Sequence, residues 1–261
     1  MNQILSAVLV LTGIGLVSSL ILVVAAKFMS VPVDENVEKV RAALPGANCG
    51  ACGFAGCDDY AKAVSTGKAV TNLCVPGADG VAKEIADIMG VAAQDVVEMT
   101  GVVACRGCTD KPSKFEYAGL KTCAAAAMLH AGPSSCTYGC LGFGDCVKAC
   151  QFSAICVAQG IAIINPNVCT GCGKCAQECP KHLITLVPQV ENSVVLCSNH
   201  DRGAVTRKLC DNGCIGCMKC EKICKNDAIH VIDNCAVIDT VKCLRCRDCE
   251  GACPTHAIKI V

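Results

Sequence analysis

The sequence predicts an α+β fold in which small cysteine-rich modules follow a single apolar N-terminal helix. Three observations lead to this prediction. The chain has 27 cysteines among 261 residues, these cysteines are clustered in short runs, and the second half of the chain repeats itself. Aromatic residues make up only 3% of the chain, so each module can bury only a small apolar core. We therefore expect bound metal to supply much of the folding free energy.

The N-terminal part, residues 1–27, is predicted to be a single-pass membrane anchor. Residues 4–26 form an uncharged apolar run, and a helix needs about 20 such residues to cross a bilayer. A cleavable signal peptide is disfavoured because no Lys or Arg precedes the run and because the run is too long. Lys27, Lys39 and Arg41 follow the run, so the rest of the chain is expected on the cytoplasmic side of the cell membrane.

A first cysteine module is predicted over residues 28–100. Its four cysteines follow the spacing C-x2-C-x4-C-x16-C, and glycines surround them. Structural zinc sites do not use this spacing, whereas it suits one [4Fe–4S] cluster. Asp34 is placed to cap a short helix before the cysteines, and two more short helices are expected over residues 81–89 and 92–99. The expected cluster ligands are Cys49, Cys52, Cys57 and Cys74.

Two runs in the second half have the spacing C-x2-C-x2-C-x3-C-P, at residues 169–180 and 243–254. That spacing is typical of bacterial ferredoxins, in which the fourth cysteine binds the other cluster of a pair. A further set of cysteines precedes each run, and the whole pattern recurs at one constant offset. We therefore predict two tandem two-cluster ferredoxin domains, residues 133–190 and 191–261, after a connecting segment at 101–132. Short strands are expected after the cysteine runs, over residues 154–164, 183–187, 228–232 and 257–261.

The first repeat departs from the second at one ligand position. Phe143 stands where the second repeat has Cys217, so we expect Cys136 to take the place of the missing cysteine through a wider loop. Cross-ligation then predicts four clusters in the two domains, which makes five with the first module. The four ligand sets are Cys136, Cys140, Cys146 and Cys179; Cys169, Cys172, Cys175 and Cys150; Cys214, Cys217, Cys220 and Cys253; and Cys243, Cys246, Cys249 and Cys224.

The cysteines outside these sets are Cys105, Cys108, Cys123, Cys156, Cys197, Cys210 and Cys235. Cys105, Cys108 and Cys123 could hold a sixth cluster if a distant residue completed the set, or they could be structural. Cys123 and Cys197 share one position of the repeat. Cys156 and Cys235 lie in strand-like runs, where a cysteine is commonly a small buried apolar side chain.

The sequence does not support other kinds of site. No G-x-G-x-x-G follows a predicted strand, so we expect neither NAD nor flavin on this chain. No basic stripe with interleaved aromatics is present, which argues against nucleic acid binding, and no catalytic residue stands out. Zinc and disulfides are the alternatives to iron–sulfur clusters. The tight C-x-x-C runs and the lack of histidines at ligand spacing disfavour both.

The segment PGANCGACGFAGC, residues 45–57, lies after the apolar helix and before the two ferredoxin runs. In this order of parts the whole chain resembles the B subunits of the Rnf (Rsx) electron-transport complexes, in a long form with two ferredoxin units. The resemblance implies a membrane-anchored iron–sulfur component of an ion-translocating ferredoxin:NAD⁺ oxidoreductase. Such a component would have no substrate chemistry of its own.

The resemblance also implies partners. Electrons would enter from reduced soluble ferredoxin and leave toward other Rnf subunits that carry flavin and NAD, coupled to translocation of Na⁺ or H⁺. Two alternatives stay open. One is an Rsx-type protein that keeps a redox-sensing transcription regulator reduced, and the other is a polyferredoxin subunit of another membrane enzyme, such as a hydrogenase.

Overall fold

The computed structural model describes residues 2–28, 34–107, 113–190 and 192–260. Cys108, one of the cysteines considered for a sixth cluster, lies outside the described residues. The chain begins with helix α1, Asn2–Phe28, which is about 40 Å long at 1.5 Å per residue. Within the described ranges, α1 is the one helix that is long and apolar enough to cross a membrane, with a mean hydropathy of 2.7 over Val8–Ala25.

Three helices build the first module: α2 (Glu35–Ala43), α3 (Cys57–Ser65) and α4 (Ala78–Met89). The predicted cap on α2 is confirmed, since the Asn36 backbone N–H donates to Asp34 Oδ1 at 2.9 Å. A short 3-10 turn at Val75–Gly77 leads into α4. The core of the module is made of apolar side chains from the three helices and from the segments next to them, namely Val40, Leu44, Cys57, Tyr60, Ala61, Val64, Cys74 and Ile85.

The helix predicted over residues 92–99 is wrong. Gly90 adopts a left-handed conformation, φ 66°, and ends α4. The chain beyond it is tied to the rest of the module by tertiary hydrogen bonds, because the Val96 N–H donates to Asp79 Oδ1 at 2.8 Å and Asn72 Nδ2 donates to the Asp95 carbonyl at 3.1 Å. These bonds replace the backbone pairing that a helix would have made.

The first ferredoxin-like unit contains two antiparallel strand pairs, in which β1 pairs with β4 and β2 pairs with β3. The second unit repeats this arrangement, with β5 against β8 and β6 against β7. The first unit consists of β1 (Met99–Val103), α5 (Cys123–Ala127), α6 (Asp145–Ala149), β2 (Ile155–Ala158), β3 (Ile161–Ile164), α7 (Lys174–Glu178) and β4 (Ile184–Pro188). The second consists of β5 (Ser193–Val195), α8 (Gly203–Leu209), α9 (Lys219–Ile223), β6 (Ile229–Ile232), β7 (Cys235–Ile238), α10 (Asp248–Ala252) and β8 (Ile258–Ile260).

Strand β1 changes the boundary expected for the first unit. It comes before residue 133, yet it pairs along its whole length with β4, from Met99 opposite Pro188 to Val103 opposite Ile184. A boundary at residue 133 would therefore remove one strand of this unit. The sequence did not reveal β1 because its partner strand is far away along the chain and the pairing leaves no local pattern.

The residues that follow β1 and β5 occupy equivalent places. The N–H of the residue directly after each strand donates to the carbonyl of the residue directly before the partner strand. Cys105 therefore follows β1 in the same way that Cys197 follows β5. The structural counterpart of Cys197 is therefore Cys105, whereas the repeat in the sequence had paired Cys197 with Cys123. The two bonds are Ala104 N to Leu183 O and Leu196 N to Ala257 O, both 2.7 Å.

Gly171 lies where the first ligand run passes against β1, and we expect Gly171→Ala to destabilise the first unit. Its φ is +64°, and an added Cβ would lie 2.5 Å from the Met99 carbonyl oxygen. Left-handed strain and the backbone clash together should cost about 3 kcal/mol. Thermal unfolding of the iron-loaded protein under anaerobic conditions measures this loss. The matched control is Gly80→Ala on α4, where nothing lies within 4 Å of the added methyl group; equal melting temperatures for the two variants would contradict the prediction.

Candidate iron–sulfur centres

The four cysteines of the first module surround one small cavity. Cys49, Cys52, Cys57 and Cys74 all line it, together with Tyr60. The loop that carries Cys49 and Cys52 is fastened to α3, because the Cys57 N–H donates to Asn48 Oδ1 at 2.9 Å. Burial is the main reason why the pKa of the Cys74 thiol is raised to about 11, and the nearby thiols of Cys57, Cys49 and Cys52 add to the effect.

Tyr60 secures the loop that delivers Cys74. The side chain is 1% exposed, its hydroxyl donates to the Val70 carbonyl at 2.8 Å, and the hydroxyl oxygen accepts from the Leu73 N–H at 3.2 Å. Burial raises the pKa of Tyr60 to about 12, so the hydroxyl keeps its proton and remains a donor.

Tyr60→Phe should therefore weaken the first module. It leaves one backbone donor and one acceptor without a partner next to a cluster ligand, at a cost of about 2 kcal/mol. We expect the cluster to be lost faster to an iron chelator, as followed by visible absorption under anaerobic conditions. Tyr117→Phe is the control, because its hydroxyl bonds to the Leu120 carbonyl at an exposed site. Equal rates for the two variants would show that Tyr60 has no such role.

In the first unit, the Cys150 thiol lies near the cysteines of the run at residues 169–180, as the cross-ligation prediction requires. Burial raises the pKa of Cys175 to about 11, with further contributions from the neighbouring thiols of Cys172, Cys169 and Cys150. The Gly101 N–H on β1 donates to Cys169 Sγ at 3.4 Å. One set of four thiols is therefore gathered from both halves of the unit.

The other set in the first unit differs from the prediction at one cysteine. Cys140, Cys146 and Cys179 line a common cavity, and the fourth cysteine in its wall is Cys123. Burial raises the pKa of Cys146 to about 12, and the neighbouring thiols of Cys140, Cys123 and Cys179 raise it further. Cys136, the cysteine expected in this set, instead lines a different cavity together with Cys105.

Helix α5 explains why Cys123 reaches this cavity. The helix starts at Cys123 with Thr122 as its cap, since the Ala125 N–H donates to Thr122 Oγ1 at 3.2 Å. It is joined to α6 by a bond from the Ala124 N–H to Asp145 Oδ2 at 3.0 Å. The sequence offered one signal that was missed, namely a threonine cap before a short alanine-rich helix.

The second unit brings together both of its predicted sets. One cavity is lined by Cys214, Cys217, Cys220 and Cys253. A separate cavity is lined by Cys224, Cys243, Cys246 and Cys249. In each set three cysteines come from one run and the fourth comes from the other run, which is the crossed arrangement expected of a two-cluster ferredoxin.

Each of the two units has two cysteine runs, and the last cysteine of every run accepts a backbone hydrogen bond of the same kind. In each case the donor is the N–H of the residue four positions later. Such N–H···S bonds favour the thiolate form that ligates iron, and they orient the sulfur. The four bonds are Ala154 N to Cys150 Sγ at 3.4 Å, Leu183 N to Cys179 Sγ at 3.5 Å, Ala228 N to Cys224 Sγ at 3.4 Å and Ala257 N to Cys253 Sγ at 3.3 Å.

These cavities suit a polynuclear cluster better than one metal ion. Zinc–sulfur bonds of about 2.3 Å would hold the four sulfurs within roughly 4 Å of one another. Among the residues that the structure describes, no group of three or more His, Cys, Asp or Glu side chains is arranged to hold a single ion. Four sulfurs spread around each cavity, with backbone N–H groups directed at them, fit an iron–sulfur cluster.

Two of the three cysteines considered for a sixth cluster lie apart from each other. Cys105 and Cys123 line different cavities, and Cys108 lies outside the described residues. Of the two cysteines expected to be buried apolar side chains, Cys235 is buried but Cys156, on β2, is exposed. The Cys235 thiol donates to the Cys197 carbonyl at 3.3 Å.

Comparisons with known proteins agree with this geometry. Residues 44–76 match the family model described as "Putative Fe-S cluster", and residues 162–185 and 236–259 match that of the 4Fe-4S binding domain. The two ferredoxin matches lie in the first and second units, so the chain binds [4Fe–4S] clusters.

Three relatives match almost the whole chain. The B subunit of the Na⁺-translocating ferredoxin:NAD⁺ oxidoreductase complex of Acetobacterium woodii is 42% identical, over 99% of this chain and 78% of its own length. The B subunit of the ion-translocating oxidoreductase complex of Methanosarcina acetivorans is 38% identical over 99% of both chains. The B subunit of the proton-translocating ferredoxin:NAD⁺ oxidoreductase complex of Clostridium ljungdahlii is 42% identical, over 100% of this chain and 94% of its own. The chain therefore belongs to the family of B subunits of Rnf-type ion-translocating ferredoxin:NAD⁺ oxidoreductase complexes, and it is an iron–sulfur electron-transfer subunit.

Proposed function

We propose that this chain receives electrons from reduced ferredoxin and relays them to flavin- and NAD-bearing subunits of the same complex. The observation that supports this most directly is the series of four-cysteine cavities in a chain whose relatives are named as ferredoxin:NAD⁺ oxidoreductase subunits. Electron flow would be coupled to translocation of Na⁺ or H⁺. Two relatives at 42% identity are named for different ions, so overall similarity does not select between them.

Five ligand sets are proposed, with Cys123 in the place first expected for Cys136. When bound, the [4Fe–4S] clusters supply the one-electron transfers. The chain's own residues hold each site, keep the two sites of a unit close together by crossed ligation, and direct N–H groups at the sulfurs. The sets are Cys49, Cys52, Cys57 and Cys74; Cys123, Cys140, Cys146 and Cys179; Cys150, Cys169, Cys172 and Cys175; Cys214, Cys217, Cys220 and Cys253; and Cys224, Cys243, Cys246 and Cys249.

Helix α1 is proposed to be a single-pass membrane anchor that keeps two tandem ferredoxin domains at the cytoplasmic surface. Its apolar side chains, Leu9 and Leu16 among them, are exposed along the helix. Leaving such a surface in water is unfavourable, whereas lipid would cover it. Lys27 lies in the last turn of the helix, and Lys39 and Arg41 follow it; positive charge at this end favours the proposed orientation.

The test uses the full chain, purified anaerobically in detergent. Reduced ferredoxin should bleach the visible absorption of the protein, and EPR spectra should show the reduced clusters. The isolated chain should not reduce NAD⁺, because its sequence has no dinucleotide-binding motif. Failure of ferredoxin to reduce the chain, or NADH formation by the chain alone, would overturn the proposed division of labour.

The Rnf assignment is favoured over the two alternatives by the near-full-length relatives. Each of the three is named as part of an oxidoreductase complex that translocates ions. A protein that keeps a transcription regulator reduced, or a polyferredoxin subunit of a hydrogenase, would account for the clusters but not for these matches.

A further inference from the structure

A cavity of about 300 Å³ lies between the two ferredoxin-like units and is distinct from the cavities lined by the proposed ligand sets. Among the described residues, four cysteines that belong to none of those sets line it: Cys105, Cys136, Cys197 and Cys210. The first two come from the first unit and the last two from the second. The cavity is therefore walled by thiols from both sides of the boundary between the units.

The four cysteines form two pairs of equivalent residues. Cys105 follows β1 as Cys197 follows β5, next to matching backbone hydrogen bonds. Cys136 and Cys210 occupy the same position of the sequence repeat, four residues before Cys140 and Cys214 respectively. Each unit thus contributes two cysteines, at equivalent positions, to the wall of the shared cavity.

The sulfurs of Cys105 and Cys197 accept backbone hydrogen bonds in the same pattern as those of two cysteines in the proposed ligand sets. Each sulfur accepts from the N–H two residues later and from one distant N–H, which for Cys105 belongs to Cys140 and for Cys197 belongs to Cys214. Cys140 and Cys214 show the same two-donor pattern. Their donors are Gly142 and Ala162 for Cys140, and Gly216 and Ala236 for Cys214.

Asn199 connects thiols of the two units. Its side chain is 2% exposed; its Nδ2 donates to Cys136 Sγ at 3.4 Å, and its backbone N–H donates to Cys197 Sγ at 3.5 Å. The amide oxygen is occupied on the other side, where it accepts from the Asp201 N–H at 2.6 Å. A buried amide whose donor points at a sulfur is the kind of neighbour that orients and stabilises a metal-bound thiolate.

We propose that Cys105, Cys136, Cys197 and Cys210 bind a sixth [4Fe–4S] cluster that links the two ferredoxin units. This inference rests on the proposed electron-relay function and deepens it. The cavity is next to a proposed ligand on each side, since Cys140 also forms part of its wall and the Cys214 N–H bonds to Cys197 Sγ. Electrons would pass between the units through this site.

The test compares the full-length wild type with two double variants, Cys105→Ala/Cys197→Ala and Cys136→Ala/Cys210→Ala. With four irons per cluster, we expect about 24 irons and as many sulfides per wild-type chain, and about 20 in each double variant. The quadruple variant should also keep about 20, because all four cysteines serve one cluster. EPR of the reduced proteins should show one cluster signal fewer in every variant. The control is Cys156→Ala, at an exposed position on β2, which should keep about 24 irons.

A wild type with about 20 irons, or double variants that retain about 24, would overturn the sixth cluster. A quadruple variant that loses twice as much iron as either double variant would also overturn it, because the two pairs would then serve different sites. Helical content from circular dichroism separates ligand loss from misfolding. Reduction by ferredoxin tests the proposed function separately. A wild type that ferredoxin reduces but that holds five clusters would leave the function intact and remove only this inference.

Discussion

Removing iron from the protein should unfold both ferredoxin-like units while leaving much of the helical signal of α1 and the first module. Cysteines are four of the eight residues in the buried core of the second unit and two of the seven in that of the first, and neither core contains an aromatic side chain. The first module has Tyr60, Val40 and Ile85 fully buried, so it keeps an apolar core of its own. Because a small unit with so little apolar core depends on its metal for stability, we expect loss of cooperative melting in the two units.

The measurement is far-UV circular dichroism with thermal scans, before and after anaerobic treatment with an iron chelator. Adding back iron and sulfide to the same sample is the control and should restore the cooperative transition. Iron-free units that still melted cooperatively near the temperature of the loaded protein would contradict the prediction.

The same experiment has an expected pH dependence. In the iron-free folded state, burial and neighbouring thiols raise the pKa of Cys146 from about 9 to about 12. A raised pKa means that the folded state resists ionisation more than the unfolded chain does. The contribution of Cys146 to any residual stability of the iron-free first unit should therefore be fully present below pH 9 and be lost as the pH rises toward 12.

The variant Cys123→Ala should lose one cluster. The variant Cys179→Ala should lose the same cluster. Both cysteines line the cavity shared with Cys140 and Cys146. The double variant Cys123→Ala/Cys179→Ala should therefore lose no more than either single variant, about four irons. The cluster bound by Cys169, Cys172, Cys175 and Cys150 should be spared in all three variants.

Cys136→Ala is the matched comparison, because the sequence alone would have placed Cys136 in that set. Combined with Cys179→Ala, it should cost about eight irons, since the two cysteines serve different cavities. Iron and sulfide analysis with EPR of the reduced protein measures both outcomes. A Cys123→Ala/Cys179→Ala variant that lost two clusters would return Cys136 to the ligand set.

The sequence by itself determined the parts of the protein that depend on local geometry. A C-x2-C-x2-C run brings its three sulfurs together through one tight turn, so the spacing reveals the site wherever the rest of the chain goes. The cap at Asp34 and the strands after the runs are local in the same sense, and the structure has the helix and strands close to where they were expected.

The tertiary structure alone decided what long-range packing controls. Pairing of β1 with β4 joins segments on opposite sides of the first unit, and it makes Cys105 the counterpart of Cys197. The start of α5 delivers Cys123 to a cavity whose other cysteines lie well beyond it in the chain. Strand pairing and helix docking bring together residues whose separation in sequence carries no periodic signal. For that reason spacing alone could identify the regular runs, but it could not show that Cys123 and not Cys136 lines the cavity with Cys140 and Cys146, or that the two units share a cavity.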